Sequence, residues 1–296
     1  MKRIINAVIA ALMLILLASC TGKANTAVVP AIQFAAPGAE EIAPPEMASS
    51  IKLDSTTMQG YYIDIPDGET MFKEFNSVSE IASDNVELIN KTDDGYWLYK
   101  AGDGTLLIDT SAGSWTYSTP LPSAAPDNMP TDAQAQQIAA KEIADSGLKI
   151  GSTSDSGVLS YTTDGDEKIL QKDVIFYPTV DGKNVYGIFR TTVGIGEGGK
   201  TVYFSKQSFE PKAGGEVKLK SIDEVKQSIS KGEFISNAAG ASGTATITDY
   251  ELCYYCDGVA KDGKLYVQPV YVFSAEINNA GESEQIKVFV DAASQA

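Results

Sequence analysis

The chain contains no histidine in 296 residues. That single absence removes Ser-His-Asp triads, Cys-His nucleophiles and histidine-ligated zinc from consideration. Cysteine is almost as scarce, with Cys20, Cys253 and Cys256 alone, which is one thiol short of a four-cysteine zinc site. Positive charge is also in short supply: 23 Lys and Arg face 39 Asp and Glu, for a formal net charge of −16. Such a surface repels nucleic acid and anionic headgroups, so no nucleic-acid partner is expected. The acidity is read as keeping an exposed protein in solution. Beyond the first twenty residues no run of 18 apolar residues occurs, so no later membrane-spanning helix is expected.

What is present begins at the start of the chain. Lys2 and Arg3 precede an apolar stretch from Ala7 to Leu17. This stretch is well short of the roughly 20 apolar residues needed to cross a bilayer, and it has the shape of an export signal. It closes on Leu17-Ala18-Ser19-Cys20, which resembles the cleavage box of bacterial lipoproteins. The resemblance implies removal of residues 1–19 and a lipid on Cys20, with palmitate-type acyl chains as the only anchor. Each buried methylene adds about 0.8 kcal/mol, so two chains hold stably. The body would then fold at the extracytoplasmic face of the cell membrane.

Residues 20–50 are rich in Ala and Pro, without periodicity, and are expected to form a flexible tether. Residues 51–120 alternate in the manner of strands. The segments are Val86-Glu87-Leu88-Ile89, Tyr96-Trp97-Leu98-Tyr99, Thr105-Leu106-Leu107-Ile108 and Ser114-Trp115-Thr116-Tyr117. Asp67-Gly68, Asp94-Gly95 and Asp103-Gly104 punctuate them. Asp-Gly favours a type I′ hairpin turn, so an antiparallel meander is expected, with Trp97 and Trp115 packed beneath it and a short helix near Ser77–Ala82. Residues 121–130 read as a linker. Thr131-Asp132-Ala133-Gln134 then opens a helix with a capping box, an apolar face at Ala135, Ile138, Ala139 and Ile143, and a stop at Gly147. Strands follow through residue 215, with turns at Asp164-Gly165 and Asp181-Gly182. In residues 216–296 the order recurs: a second capping box at Ser221-Ile222-Asp223-Glu224, then strands at about 244–255, 264–275 and 285–291. The fold class expected is α+β: an antiparallel β-meander followed by two helix-plus-antiparallel-sheet units. Pro269, inside a strand, places that strand near a sheet edge.

This helix-then-strands order, with Val174-Ile175-Phe176-Tyr177, Gly182-Lys183-Asn184-Val185-Tyr186-Gly187, Tyr250 to Tyr255 and Tyr266 to Phe273, resembles PepSY-type domains over residues 131–291. It also looks like the YycH/YycI group of membrane-tethered proteins that modulate a sensor kinase. Those proteins use an N-terminal membrane helix where this chain has a lipoprotein leader.

Three motifs imitate chemistry. Gly194 to Thr201 satisfies the phosphate-loop pattern, but Val202-Tyr203-Phe204 follows, a strand where a helix is required, and Glu197 would sit among the phosphates. No nucleotide is expected. Ser228-Ile229-Ser230-Lys231 matches S-x-x-K but sits at a helix end without its companion elements. Cys253-Tyr254-Tyr255-Cys256 is a C-x-x-C in a Tyr-rich strand and a possible thiol pair. Three residues of extended chain span about 10 Å, too far for a disulfide, unless a turn begins at Tyr254. Asp93, Asp94, Asp164, Asp166 and Glu167 lie at turns that favour Asp for backbone reasons. No metal, cofactor or catalytic residue is expected, and the chain is read as no enzyme. The function expected is a membrane-anchored binding or regulatory module for a protein, peptide or envelope component. The alternative is a solute-binding lipoprotein of a transport system.

The leader gives the first testable outcome. Replacing Cys20 with Ala is expected to move the protein from the membrane fraction to the soluble one. Immunoblotting of fractionated cells reads this directly, and an unchanged membrane fraction would remove the lipid from the account.

Overall fold

The computed structural model describes residues 29–34, 42–78, 81, 85–122, 126–148, 150, 152–153, 157–163, 166–238, 243–279 and 282–294. Cys20, the leader and the Asp164-Gly165 turn therefore lie outside the described residues. The strands are β1 (Glu46–Met47), β2 (Thr57–Asp64), β3 (Val86–Lys91), β4 (Tyr96–Ala101), β5 (Gly104–Asp109) and β6 (Ser114–Ser118). They continue with β7 (Ser152–Thr153), β8 (Gly157–Thr163), β9 (Asp166–Phe176), β10 (Pro178–Val180), β11 (Lys183–Gly187) and β12 (Thr191–Ile195). The last six are β13 (Thr201–Gln207), β14 (Lys212–Lys218), β15 (Ile235–Ser236), β16 (Ala245–Cys256), β17 (Lys264–Asn279) and β18 (Glu282–Asp291). Three α-helices occur among the described residues: α1 (Gly68–Ser77), α2 (Asp132–Ser146) and α3 (Ile222–Ser230).

The strands form two sheets. An eight-stranded sheet runs β3-β4-β5-β6-β13-β12-β9-β8. Its junction is β6 with β13, antiparallel, pairing Tyr117 with Phe204 and Trp115 with Lys206. The meander and strands β8, β9, β12 and β13 are thus one hydrogen-bonded surface. Helices α1 and α2 cover one face of it. Met71 and Phe75, one helical turn apart, and Ala135, Ala139 and Ile143 enter a core with Leu106, Ile108, Trp115, Val193 and Phe204. Trp115 is wholly buried and stacks on Phe204 with ring centroids 5.2 Å apart. Trp97 packs against the same core and carries Lys91 Nζ 3.6 Å above its ring. Both tryptophans therefore lie under the sheet, as their alternation suggests.

Helix α1 is pinned by charge as well as by packing. Lys206, 2% exposed, donates to both carboxylate oxygens of Glu74 at 2.9 and 2.8 Å. Trp115 Nε1 donates to the same carboxylate at 3.3 Å. Pairing and hydrogen bonding make a buried ammonium tolerable.

The second sheet has ten strands along β14-β2-β17-β16-β11-β10-β7, with β1 on β16 and β15-β18 attached to β17. Strand β17 sits at its middle. One edge pairs with β16 from Gln268 to Ile277; the other pairs with β2 from Lys264 to Val267 and then with β18 from Val270 to Asn279. Strand β16 divides its outer edge likewise between β1 and β11, both parallel. At Gly187, with φ +99°, an added Cβ would lie 1.9 Å from the Cys256 carbonyl oxygen, so only glycine lets β11 run this close to β16.

These facts correct the expected fold class. The molecule is mostly β in two large sheets and is not a meander followed by two helix-plus-sheet units. The recurring order of helix then strands is real in sequence, and many of those strands pair with one another, but β13 also pairs with β6, β14 and β17 with β2, and β11 with β16, so neither group closes as a separate unit. Pro269 is also corrected. Strand β17 is central, and the proline falls between Val267, the last residue paired to β2, and Val270, the first paired to β18. The missing N–H is harmless at that handover. Asp67-Gly68 is a helix start and not a hairpin turn: Asp67 accepts from Thr70 N at 2.7 Å and caps α1. Both expected capping boxes form, at Thr131 with Gln134 and at Ser221 with Glu224. Asp181-Gly182 has positive φ at both residues, as a type I′ turn requires.

Glu74→Ala leaves Lys206 buried without its partner. The expected loss is about 2–3 kcal/mol, below the 3–5 of a fully buried pair because Glu74 is partly exposed. The double change Glu74→Leu with Lys206→Met is expected to recover most of that loss. Urea denaturation of the three variants measures both.

Candidate functional site

Strands β16, β17 and β18 are buried on both faces over residues 253–256, 267–273 and 288–291. On one face Ile247, Tyr254, Cys256, Tyr271, Phe273 and Val288 join the main core, where α3 contributes Val225 and Ile229. On the other, Cys253, Tyr255, Val270, Val272 and Phe289 form a separate apolar floor. Cys253 and Cys256 therefore lie on opposite faces of one strand, and both are free, buried thiols. Odd spacing along an extended strand sends side chains to opposite sides, so the C-x-x-C is not a redox pair.

The cover on the second face comes from the N-terminal side of the body. Residues 31–34 show alternating exposure: Ala31 exposed, Ile32 buried, Gln33 exposed, Phe34 half-buried. That is the pattern of an extended segment with one side down. Ile32 and Phe34 pack onto the floor, and the Phe34 ring meets Tyr255 edge-on at 5.2 Å. Two carboxylates take two successive backbone N–H groups. Ile32 N donates to Asp291 Oδ2 at 3.4 Å, and Gln33 N donates to Asp257 Oδ2 at 2.8 Å. The described part of the expected tether is therefore docked, not free, because Ile32, Phe34 and, further on, Ile42 are apolar and find a surface. Beside the floor, Lys287 Nζ donates to Tyr186 Oη at 3.1 Å, and the Tyr186 ring packs edge-on against Phe289. Gln268, paired to Tyr255 and two residues from Val270, is 2% exposed, and its Oε1 has no hydrogen-bond partner among the described residues.

The docking of residues 29–34 is close to balanced. Burying Ile32 and much of Phe34 contributes about 2–4 kcal/mol. Two hydrogen bonds to charged acceptors add about 3–6. Fixing six backbone residues costs about 6–12. Gain and cost are of the same size, so little separates the docked segment from the released one.

Burial sets the electrostatics. It pushes the Cys253 thiol up to about 11, with Glu251 nearby adding to the rise, and Cys256 up to about 12. Asp291 is raised above the ordinary carboxylate range, first by burial. The N–H groups of Ala293 and Ile32 and the charge of Lys220 oppose the rise, and Asp257 adds to it.

The remaining motifs do not assemble a site. Gly194 to Thr201 is the β12–β13 hairpin. Gly196 N donates to Lys200 O at 2.8 Å and Gly198 N to Asn128 O at 2.9 Å, so these amides are already used. Ser228 is buried and accepts from Lys220 Nζ at 3.2 Å, not from Lys231, which caps α3. Among the described residues no three His, Cys, Asp or Glu side chains cluster as a metal site would need. An open depression of about 270 Å³ lies between the start of α2 and this hairpin, lined by Asn128, Gln134, Gln137 and Gly198 among others. Gln134 Oε1 is already committed to Thr131 N.

Sequence reasoning singled out Cys253 and Cys256 but missed Ile32, Phe34, Asp257, Gln268 and Asp291. The available signal was the apolar–polar–apolar run Ile32-Gln33-Phe34 inside an otherwise Ala- and Pro-rich stretch.

No family model matches the chain. No curated protein matches it. Among solved structures, the chain is similar to an uncharacterized protein from Eubacterium rectale, at 11% identity and a TM-score of 0.44, covering 86% of this chain and 88% of that one. It is also similar to the Bacillus megaterium YpeB C-terminal domain, at 14% identity and a TM-score of 0.33, covering 75% and 99%. Likenesses at this level assign neither a family nor an activity.

Two outcomes follow from the buried groups. Both thiols are expected to be silent to Ellman's reagent in the native protein at pH 8, where less than about one in a thousand is ionised, and to react fully in guanidinium. Asp291 holds its proton more tightly folded than unfolded. Its contribution to stability is therefore present below the ordinary Asp value of about 3.9 and is lost as pH rises through the native value. Urea midpoints of Asp291→Asn relative to the unmutated protein are expected to shift in the variant's favour as pH rises from about 4.

Proposed function

We propose that the protein is an extracytoplasmic lipoprotein, anchored through Cys20, that acts as a non-enzymatic binding module for a protein or peptide. The observation that carries this reading is the second face of the ten-stranded sheet. It holds an extended segment by backbone N–H groups on two carboxylates and by side chains on an apolar floor. That is the chemistry by which a sheet accepts an extended chain: main-chain hydrogen bonds give hold, and alternate side chains give selectivity. The Leu17-Ala18-Ser19-Cys20 box supports the anchor and the compartment.

A photo-crosslinking side chain placed at Tyr186, on the rim of this face, tests the reading in intact cells. The expected result is a protein or peptide adduct in the membrane fraction, absent when the same probe replaces Lys141 on the exposed side of α2. Adducts of equal yield from both positions, or none from the rim, would overturn it.

A further inference from the structure

We infer that the floor formed by Tyr255, Val270, Val272 and Phe289, with Asp257 and Asp291 above it, is a peptide-binding site. Its ligand is an extended apolar–polar–apolar segment, and the chain's own Ile32-Gln33-Phe34 fills it in the free protein. The inference rests on the binding-module reading and names its ligand class and its regulation.

Recognition at this site asks little of the ligand's sequence. Asp257 and Asp291 are met by main-chain N–H groups, which every residue but proline carries. Negative oxygens facing the partial positive charge of two amides are complementary without any side-chain contribution. Selectivity comes from the two positions facing down, filled by Ile32 and Phe34, with the edge of Phe34 against Tyr255. The residue between them faces solvent and is unspecified. An external segment with the same alternation can make every contact the internal one makes.

It can also make one more. Gln268 Oε1 is buried without a donor while residues 29–34 are docked, among the described residues. A ligand that supplies an N–H or O–H there satisfies an acceptor that the internal segment leaves unpaired. The internal segment has the advantage of linkage, which corresponds to an effective concentration in the millimolar range. It surrenders part of that advantage to the near-balance between its contacts and the cost of ordering it. The device is a competitive one: the site is closed in cis until a better-fitting segment arrives in trans.

The probe is a fluorescently labelled peptide of sequence Val-Pro-Ala-Ile-Gln-Phe, identical to residues 29–34. Fluorescence anisotropy follows its binding to the full chain purified in detergent. Ile32→Gly with Phe34→Gly empties the site, and the peptide is expected to bind this variant at least about 10-fold more tightly than the unmutated protein. Adding Asp257→Ala is expected to reverse most of the gain, and a peptide with Gln at both apolar positions is expected not to bind. Equal affinity for both proteins, or no binding to a double variant with an intact unfolding transition, would overturn the proposal.

Gln33→Pro removes the N–H given to Asp257, leaves Ile32 and Phe34 in place, and supplies an open form should the double glycine variant not fold. In the unmutated protein, excess peptide is expected to raise amide exchange at Ile32 and Gln33 while leaving β16 to β18 protected. Unchanged exchange at saturating peptide would also overturn the proposal. Such a failure leaves the lipid anchor and a partner seated at the rim of this face untouched, because those are read by fractionation and by the Tyr186 crosslink.

Discussion

Strand β17 is the constraint from which the rest of the ten-stranded sheet follows. Sixteen consecutive residues are committed to one extended path, with β16 along one edge and β2 and then β18 along the other. A strand with neighbours on both edges has no solvent for its polar backbone, so every N–H and C=O must find the ladder. The one residue that cannot donate, Pro269, is tolerated where the second edge changes partner. Three long strands side by side then present two broad faces, and apolar residues occupy both: Tyr271, Phe273 and Ala275 on one, Val270 and Val272 on the other. A sheet that is apolar on both sides must be covered on both sides. Helix α3 meets one demand. On the other face the six-residue segment at 29–34 contributes to the cover, and that unequal provision makes the face a place where one extended chain can be exchanged for another.

The same logic explains the two thiols. Cys253 and Cys256 are three residues apart on a strand whose faces have separate cores. Each is a small apolar filler in its own core, and the spacing that looks like redox chemistry in a helix is only a change of side in a strand. Desolvation raises both pKa values; Lys183 and Lys287 oppose the rise at Cys253 but do not cancel it. The chemistry of the site therefore lies in carboxylates, amides and rings.

Local signals in the sequence were legible and long-range ones were not. The capping boxes at Thr131 and Ser221 depend on side chains three residues apart, and both formed where the pattern placed them. Asp181-Gly182 depends on two adjacent residues, and it turned as expected. Asp67-Gly68 carried the same letters but opened a helix, because Met71 and Phe75 one turn apart had a core to enter; the dipeptide alone does not distinguish an N-cap from a hairpin. The pairing of β6 with β13, and of β2 with β17, joins segments roughly 90 and 200 residues apart. No local period encodes such partners. The repeat of helix then strands suggested self-contained units, whereas the hydrogen bonds divide the strands after α2 between two sheets and join those after α3 to β2 and β11. Residues 29–34 were hidden for a related reason: prolines and alanines around them read as tether, and the two apolar side chains acquire meaning only beside a floor assembled from residues 253–289.

The position of that segment in the chain connects the site to the proposed anchor. Val29 lies nine residues after Cys20, and a fully extended chain spans at most about 3.5 Å per residue. With lipid on Cys20 and residues 29–34 docked, the sheet face can lie no further than about 30 Å from the bilayer. Released as far as Ile42, whose side chain is held in the main core, the connection grows to 22 residues and about 75 Å. A ligand that displaces the segment would thus do two things at once: occupy the face and let the body rise from the membrane. With the proposed anchor in place, the binding event and the reach of the body would be mechanically one equilibrium, because the same six residues would serve as the occupant of the site and as part of the leash.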